Sequence, residues 1–354
     1  MRHFTQPAIF LAALAISSFF VVSIIDLARK RQLFDGNNHI KRHSEQVSSL
    51  GGIAIFASFW IAFFLLGGEA IETIIYPLFA SAFLLFLVGV KDDLVGIHAF
   101  HRLGVQIGVA SLLFGMGLQI THLPGMASEL PLWASYLLTI LLMGAVVNAY
   151  NFIDGINGLA GGLALTSSLG FAWVFHRAGA FQEVLLSLAL AGSVLGFLYF
   201  NFGKARIFMG DNGSTFVGMI FAYLAIAMLR PEMQQKLEGH VPAYFAGAIL
   251  LIPLADMVKV VMGRLLRGGS PFRGDHTHIH HLLTKTGISH RRTCLVLYGW
   301  NVGVIIFSLI LLPQDFFLSM IALILAACFP YLGILLSERM IKSRKTETLK
   351  TSGQ

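Results

Sequence analysis

The chain has 354 residues, of which 56% are hydrophobic and only 12% are charged, with a mean hydropathy of +0.75 and a formal net charge of +7. This composition excludes an ordinary soluble domain and predicts a polytopic membrane protein of the all-α class. The basic residues cluster beside apolar runs, so we attribute the positive charge to membrane topology and expect no nucleic-acid partner.

Apolar runs recur along the whole chain with short polar gaps between them. Because about 20 apolar residues cross a bilayer as a helix, we predict one transmembrane domain over residues 1–341 and a disordered cytoplasmic tail over residues 342–354. Pro253 is expected to bend the ninth span, and Asp256 and Lys259 beyond it are expected to face the functional cavity. The eleven predicted spans are residues 7–28, 50–67, 73–90, 103–121, 132–148, 158–176, 182–200, 214–229, 242–263, 293–312 and 315–336.

The positions of lysine and arginine indicate the orientation of these spans. Of the 25 basic residues, all but Arg2, Arg177, Arg230 and Lys236 belong to one side of the predicted membrane. The positive-inside rule places that side in the cytoplasm, with the N-terminus outside and the C-terminus inside. The polar motifs of the chain all fall on the cytoplasmic side, which predicts a single active face.

The stretch Asn148–Leu159 is polar between two apolar runs. Asn148, Asn151 and Asp154 recur every third residue, which places them near one side of a helix end. Glycines at positions 155 and 158 allow the backbone to turn and a ligand to approach closely. Such a cluster at the end of a membrane helix predicts a functional site, and helix capping is the structural alternative.

Two adjacent carboxylates, Asp92 and Asp93, follow the third predicted span directly. Neighbouring carboxylates at a membrane boundary repel each other unless a cation or a shared proton relieves the repulsion. The pair therefore predicts a divalent metal or a proton-transfer role, and a solvated pair that points to water is the alternative.

The segment Asn201–Ser214 contains two basic residues, a carboxylate flanked by glycines and the start of an apolar run. Oxygen ligands such as Asp211 and Asn151 suit Mg²⁺, with Mn²⁺ as the alternative, and these ions usually also bind substrate phosphate. Backbone amides at the start of the eighth span offer a phosphate site. A capped turn is the structural alternative.

Four histidines lie within the six positions 276–281. Histidine-rich tracts often bind zinc, but no cysteine or second cluster is near, and Arg273 and Lys285 flank the tract. We therefore favour binding of phosphate or sugar over zinc.

Aspartates, amides and a basic rim on one face of a helical bundle predict a metal-assisted site for a diphosphate. The apolar bundle would admit a lipid-borne second substrate, so phosphoryl transfer is the predicted reaction. An intramembrane aspartyl protease would use Asp154 and Asp211 but not the Asp92–Asp93 pair or the histidine tract. A transporter would gather its polar groups at the midplane of the membrane instead of one face.

Four motifs occur in the order that one enzyme family shows: Asp92-Asp93, Asn148-x-x-Asn151-x-x-Asp154-Gly155, Phe208-Met209-Gly210-Asp211-x-Gly213-Ser214 and His278-x-His280-His281. Through them the chain resembles the polyprenyl-phosphate N-acetylhexosamine-1-phosphate transferases from about Asp35 to His281. This family contains the enzymes that start bacterial common-antigen, O-antigen and teichoic-acid lipids, the phospho-MurNAc-pentapeptide translocase and the eukaryotic dolichol-phosphate enzyme. The family's eleven spans agree with the count above.

The resemblance implies transfer of a sugar-1-phosphate from a UDP-N-acetylhexosamine to undecaprenyl phosphate, with release of UMP. It implies Mg²⁺ as the cofactor, and the two substrates and the lipid bilayer as partners, and it leaves a homodimer open. The location would be the bacterial inner membrane, with the active site on the cytoplasmic face. The product would initiate a polysaccharide of the O-antigen, common-antigen or teichoic-acid type.

The same resemblance assigns roles to individual residues. It implies Asp211 and Asn151 as metal ligands, and Asp92, Asp93 and Asp154 as catalytic carboxylates, of which the first two deprotonate or position the lipid phosphate. Lys41 and His43 in the first cytoplasmic gap are the expected lipid-phosphate contacts, and the positive-inside rule is the other explanation for them. The expected nucleotide and sugar contacts are Asn148, Asn201, Phe208, Arg273, His278, His280 and His281.

Several positions depart from the family pattern. Asn157 stands where many bacterial members have aspartate, and the basic residue that usually follows the aspartate pair is replaced at position 100, with Arg102 nearby. The His-x-His-His ending favours the branch that uses UDP-N-acetylglucosamine. A donor of the fucosamine or quinovosamine type stays open.

Overall fold

The structure is a computed structural model that describes residues 2–33, 47–123, 126, 128–237, 241–270, 277–311 and 317–333. This part of the chain is helical with no strand, which confirms the predicted all-α class. A short 3-10 turn, Gly68–Ala70, follows the second helix. The α-helices are α1 Arg2–Arg31, α2 Gly51–Leu66, α3 Ile75–Val95, α4 Ala99–Gly115, α5 Leu132–Ile153, α6 Leu159–Arg177, α7 Phe181–Asn201, α8 Gly210–Met228, α9 Pro231–Lys236, α10 Val241–Ile249, α11 Leu251–Leu266, α12 Ile279–Lys285, α13 His290–Leu311 and α14 Phe317–Gly333.

The chain is a multi-pass membrane protein by the length and composition of its helices. Within the described residues, five helices (α1, α5, α6, α7 and α13) are long and apolar enough to cross a membrane, and the bent pair α10–α11 would make a sixth. Helices α2 and α14 are apolar but shorter. Each of the eleven predicted spans overlaps a helix or the bent pair, but the count of eleven and the orientation of the termini stay predictions.

Helix α8 lies at the centre of the bundle, where it packs against α2, α3 and α5. Its residues from Asn212 to Met228 are buried. A Cβ atom added at Gly218 would lie 2.7 Å from the Cα atom of Val147 on α5, so the two backbones cross in close contact. Small residues permit such crossings between membrane helices. The crossing fixes the distance between the two helices that carry Asn151 and Asp211.

The start of α8 is also joined to the start of α2. Phe208 N donates to Ser48 O at 2.8 Å, Gly51 N donates to Phe208 O at 2.9 Å, and Gly52 N donates to Met209 O at 2.9 Å. These bonds satisfy amides that a helix start would otherwise leave without partners. They fix the backbone immediately before Asp211.

The predicted bend in the ninth span is present between α10 and α11, whose axes differ by 70°. Proline at position 253 has no N–H to donate to the carbonyl of Ile249, the last residue of α10, which explains the break at Leu250. After the bend, α11 packs against α5 and α13.

Candidate functional site

A cavity of about 350 Å³ lies where the ends of α5 and α7 meet the start of α8. Its wall contains six of the residues that the sequence predicts for the site: Asp93, Asn151, Asp154, Asn201, Phe208 and Asp211. The rest of the wall is formed by Ser49, Gly155, Ile156, Asn157, Met209 and Gly210. The fold therefore brings residues from three of the four sequence motifs to one place.

Asp93 binds the first turn of α8 with both of its carboxylate oxygens. Its Oδ1 accepts a hydrogen bond from Asp211 N at 2.9 Å, and its Oδ2 accepts one from Asn212 N at 2.9 Å and another from the Asn212 side-chain amide. Gly210 has φ +75°, and a Cβ atom there would lie 2.7 Å from Asp93 Oδ2. The carboxylate stabilises the helix start, and it fixes the position of Asp211.

Arg102 on α4 connects Asp92 with Asp211. Its Nη1 lies 2.6 Å from Asp92 Oδ2 and 2.7 Å from Asp211 Oδ2. The other oxygen of Asp92 accepts a hydrogen bond from Ile97 N at 2.6 Å. Two carboxylate oxygens from distant parts of the chain thus converge on one cationic nitrogen. Sequence reasoning placed Arg102 only near a family position, although a basic residue just after an aspartate pair is a usable indication of such a contact.

Asn151 joins α5 to the start of α8. Its Nδ2 donates to Asp211 Oδ1 at 2.7 Å and lies 3.1 Å from the hydroxyl of Ser214. Which end of the amide is nitrogen follows from this hydrogen-bond network, because the two ends have the same shape. If a cation replaced the hydrogen bond to Asp211, a rotation of the amide would direct the oxygen of Asn151 at that cation.

Asp154 follows the last residue of α5 and lines the cavity with a half-buried carboxylate. No side chain or amide of the described residues donates a hydrogen bond to it. Burial, together with the negative charges of Asp211 and Asp93, raises the pKa of Asp154 to about 7. Three carboxylates around one small cavity repel one another when they are ionised, and a bound cation would reduce that repulsion.

The cavity contains carboxylate and amide oxygens, the kinds of ligand that a magnesium ion shared with a substrate would use. Mg²⁺ prefers oxygen ligands and commonly uses one or two carboxylates together with water and substrate phosphate. Asp211 directs one carboxylate oxygen at the cationic side chain of Arg102 and the other at the side-chain amide of Asn151. The described residues contain no group of three or more His, Cys, Asp or Glu side chains arranged to hold a metal ion. An ion held by two protein ligands and by substrate therefore stays a prediction.

Asn201 is buried in the cavity wall and uses both ends of its amide. Its Oδ1 accepts a hydrogen bond from Gly158 N at 2.7 Å, and its Nδ2 donates to Ile207 O at 2.8 Å. Phe208 lines the same wall and is half-buried. Asn201 therefore ties the turn after Asp154 to the segment that carries Phe208.

Asn148 lies outside this cavity. Its Nδ2 donates to Gln106 Oε1 on α4 at 2.9 Å and to the carbonyl of Gly144 at 2.7 Å. Its amide is thus used in the contact between α4 and α5. Asn148 therefore contacts α4, whereas Asn151 and Asp154 line the cavity.

The histidine tract reaches the cavity rim through His280. This side chain is 1% exposed and neither ring nitrogen has a hydrogen-bond partner. A Cβ atom at Gly155, the residue after Asp154, would lie 2.4 Å from His280 Nε2, so the ring packs on that backbone. Burial and the neighbouring His281 lower the pKa of His280 to about 4, which keeps the ring neutral at pH 7. His278 is also buried, and His281 is half-buried.

The remaining predictions divide into two groups. Lys41, His43 and Arg273 lie outside the described residues. The prediction that Asp256 and Lys259 face the cavity is wrong, because both side chains contact the histidine tract: Asp256 bonds to His278 and Ile279, and Lys259 donates to the carbonyl of Thr277. A bent helix has a side-chain register that the sequence alone does not reveal.

Comparison with known proteins identifies the class of protein that this fold and site define. The family model of Glycosyl transferase family 4 matches residues 75–229, which run from α3 to the end of α8 and include every aspartate of the site. An all-helical membrane chain with this match, and with relatives that are named as phosphotransferases, is a membrane phosphoglycosyl transferase.

Relatives along most of the chain establish the family. The chain is 31% identical over 315 residues to decaprenyl-phosphate N-acetylglucosaminephosphotransferase of Mycobacterium tuberculosis, covering 80% of this chain and 78% of the relative. It is 30% identical over 306 residues to the probable undecaprenyl-phosphate N-acetylglucosaminyl 1-phosphate transferase of Bacillus subtilis, covering 86% and 84%. It is 27% identical over 309 residues to undecaprenyl-phosphate alpha-N-acetylglucosaminyl 1-phosphate transferase of Escherichia coli K12, covering 84% and 81%. The chain belongs to glycosyl transferase family 4, which confirms the resemblance seen in the four motifs.

Proposed function

We propose that the chain transfers N-acetylglucosamine-1-phosphate from UDP-N-acetylglucosamine to undecaprenyl phosphate at the cytoplasmic face of the bacterial inner membrane. UMP leaves, and the lipid-diphosphate sugar initiates a cell-surface polysaccharide. The observation that carries the proposal is the convergence of Asp93, Asp154 and Asp211 on one cavity, with Arg102 bound between Asp92 and Asp211. The names of the relatives, each a polyprenyl-phosphate N-acetylglucosamine phosphotransferase, support this choice of donor and acceptor.

The reaction needs charge compensation and alignment more than it needs a strong base. A phosphate monoester has a second pKa of about 6, so the lipid phosphate is largely dianionic at neutral pH. An oxygen of the lipid phosphate would attack the sugar-bearing phosphorus, and the bond from that phosphorus to the UMP oxygen would break. Holding the two phosphates in line supplies much of the rate in phosphoryl transfer.

The residues of the cavity would divide this work among them. Mg²⁺ held by Asp211 together with Asn151 would offset the negative charge of the diphosphate. Asp93 keeps Asp211 in place through the first turn of α8. Arg102, which bonds to both Asp92 and Asp211, would supply a positive charge beside the phosphates. Phe208 in the wall offers an aromatic face for the uracil ring.

The test uses purified protein in detergent with radiolabelled UDP-N-acetylglucosamine, undecaprenyl phosphate and Mg²⁺. We expect labelled lipid to form, EDTA to stop its formation and Mg²⁺ or Mn²⁺ to restore it. Asp211→Asn should lose more than about 100-fold of the rate, whereas the matched control Asp26→Asn, at an exposed position of α1, should keep it. Full activity of Asp211→Asn, or full activity in EDTA, would contradict the metal assignment.

The donor sugar is tested in the same assay with a panel of UDP-N-acetylhexosamines. We expect UDP-N-acetylglucosamine to give the highest kcat/KM. A donor of the fucosamine or quinovosamine type that exceeds it would assign the chain to a different branch of the same reaction.

A further inference from the structure

A buried carboxylate away from the cavity connects three separate parts of the chain. Asp256 lies on α11 and is 1% exposed. Its Oδ2 is 2.7 Å from His278 Nδ1, and its Oδ1 accepts hydrogen bonds from Ile279 N at 2.7 Å and from the Tyr331 hydroxyl at 3.1 Å. A carboxylate without water is strongly destabilising unless such donors surround it. The partners of Asp256 are 22, 23 and 75 residues away, so it joins α11 to α12 and α14.

The contact with Asp256 also orients the ring of His278, because it joins Nδ1 of the ring to a carboxylate that is held on α11. Lys259, nearly one turn further along α11, donates to the carbonyl of Thr277. Two side chains of one helix thus hold the backbone and the ring at the start of the segment 277–281, which we call the histidine segment.

The histidine segment transmits this position to the cavity. The rings of His278 and His280 are stacked, with centroids 5.6 Å apart and planes 15° apart. The His280 ring in turn packs on the backbone of Gly155, next to Asp154. A continuous set of contacts therefore runs from Asp256 through His278 and His280 to the cavity rim.

We propose that Asp256 is a positioning residue, which holds the histidine segment against the part of the cavity that receives the sugar nucleotide. Asp256 itself lies outside the cavity and acts through His278. The expected change in KM rests on the proposed function. The expected loosening of the histidine segment rests on the contacts alone.

The kinetic test compares Asp256→Asn with wild type for each substrate. The substitution keeps the shape of the side chain but removes the charge that holds His278. We expect KM for UDP-N-acetylglucosamine to rise roughly 10-fold or more, because a small misplacement of binding groups has large effects, while KM for undecaprenyl phosphate stays within about 2-fold. A general loss of structure would raise both values or lower kcat alone, and either pattern would overturn the proposal.

A double variant tests whether Asp256 acts through His278. If both substitutions remove the same link, Asp256→Asn combined with His278→Gln should raise KM for the nucleotide no further than the larger single effect. Multiplying effects would overturn the proposal. The matched control is Glu183→Gln, which alters another buried carboxylate. Glu183 lies on α7 about 27 Å from Asn201 of the cavity wall, at a helical rise of 1.5 Å per residue. This variant should leave both KM values unchanged.

Hydrogen–deuterium exchange gives a readout that does not depend on turnover. Peptides that contain Ile279 should exchange at least about 10-fold faster in Asp256→Asn than in Glu183→Gln or wild type, and unchanged exchange would overturn the proposal. If Asp256→Asn does not fold, Lys259→Met removes the neighbouring bond to Thr277 and should give the same KM difference. An inactive wild type would refute the proposed function, and the exchange experiment would still decide whether Asp256 holds the segment.

Discussion

Gly210→Ala is the substitution for which the structure makes the sharpest prediction. Gly210 is the first residue of α8 and has φ +75°, a conformation that side chains with a Cβ atom rarely adopt. A Cβ atom would lie 2.1 Å from Ser49 O and 2.7 Å from Asp93 Oδ2. The methyl group would therefore separate the start of α8 from both the segment before α2 and the carboxylate that orients Asp211.

The size of the effect follows from these distances. The left-handed conformation costs an alanine roughly 1–2 kcal/mol, and overpacking a closed contact adds roughly 1–3 kcal/mol. The total loss of unfolding free energy is thus about 2–5 kcal/mol. Relieving the contact with Ser49 needs a shift of roughly 1 Å, and a misplacement of that size can reduce catalysis about 100-fold.

Gly203→Ala is the matched control, because Gly203 has φ +80° but has open space where its Cβ atom would be. It should lose only the conformational part, roughly 1–2 kcal/mol, and keep its activity. Thermal unfolding in detergent gives the stability difference, and the radiolabelled lipid assay gives the rates. If Gly210→Ala retained the activity of Gly203→Ala, the close contact between Gly210, Ser49 and Asp93 would not be what orients Asp211.

Three further predictions concern individual side chains. Asn201→Ala should reduce the unfolding free energy by roughly 2–5 kcal/mol, since it leaves two buried backbone groups without partners. Denaturant unfolding measures this change, and a loss below about 1 kcal/mol would contradict the burial of the two hydrogen bonds. Asn148→Ala should change KM for the nucleotide by no more than about 2-fold, because the Asn148 amide contacts Gln106 outside the cavity. A rise in KM above about 10-fold would place Asn148 in the binding site. His280 should make the protein less stable in acid. Its pKa of about 4 in the folded protein lies below the ordinary histidine value of 6.5. Its contribution to stability is therefore complete above pH 6.5 and is lost as the pH falls toward 4, and the loss amounts to about 2 kcal/mol by pH 5. The difference in unfolding temperature between pH 7.5 and pH 5 should be smaller in His280→Gln than in wild type. An unchanged difference would contradict the role of His280 in acid sensitivity.

The helical class and the residues of the cavity could be predicted because their causes are local. Long apolar runs have few structural solutions in a bilayer, and polar residues that interrupt them mark helix ends. Asp154 and Asp211 each stand at such an end. That Asp154 and Asp211 belong to one site was predicted from the family motifs, because the spacing of apolar residues does not show which helix ends meet.

The contacts that the sequence did not reveal depend on how helices pack. Arg102 reaches Asp211 across 109 positions because α4 packs on α3 and α5. Asn148 and Asn151 have similar places in the pattern, but α5 lies between α4 and α8, so one amide faces each neighbour. Asp256 was predicted to face the cavity, and the bend before α11 turns it toward the histidine segment instead. Each of these outcomes requires the relative rotation of helices.

The identity of the released nucleotide tests the central claim most directly. Purified protein should convert UDP-N-acetylglucosamine and undecaprenyl phosphate into equal amounts of UMP and a lipid-diphosphate sugar, which chromatography and mass spectrometry measure together. One UMP per lipid product shows that the bond from the sugar-bearing phosphorus to the bridging oxygen of the diphosphate is broken, as the proposed phosphoryl transfer requires. Release of UDP with a lipid-monophosphate sugar would mean transfer of the sugar alone, and would contradict the account.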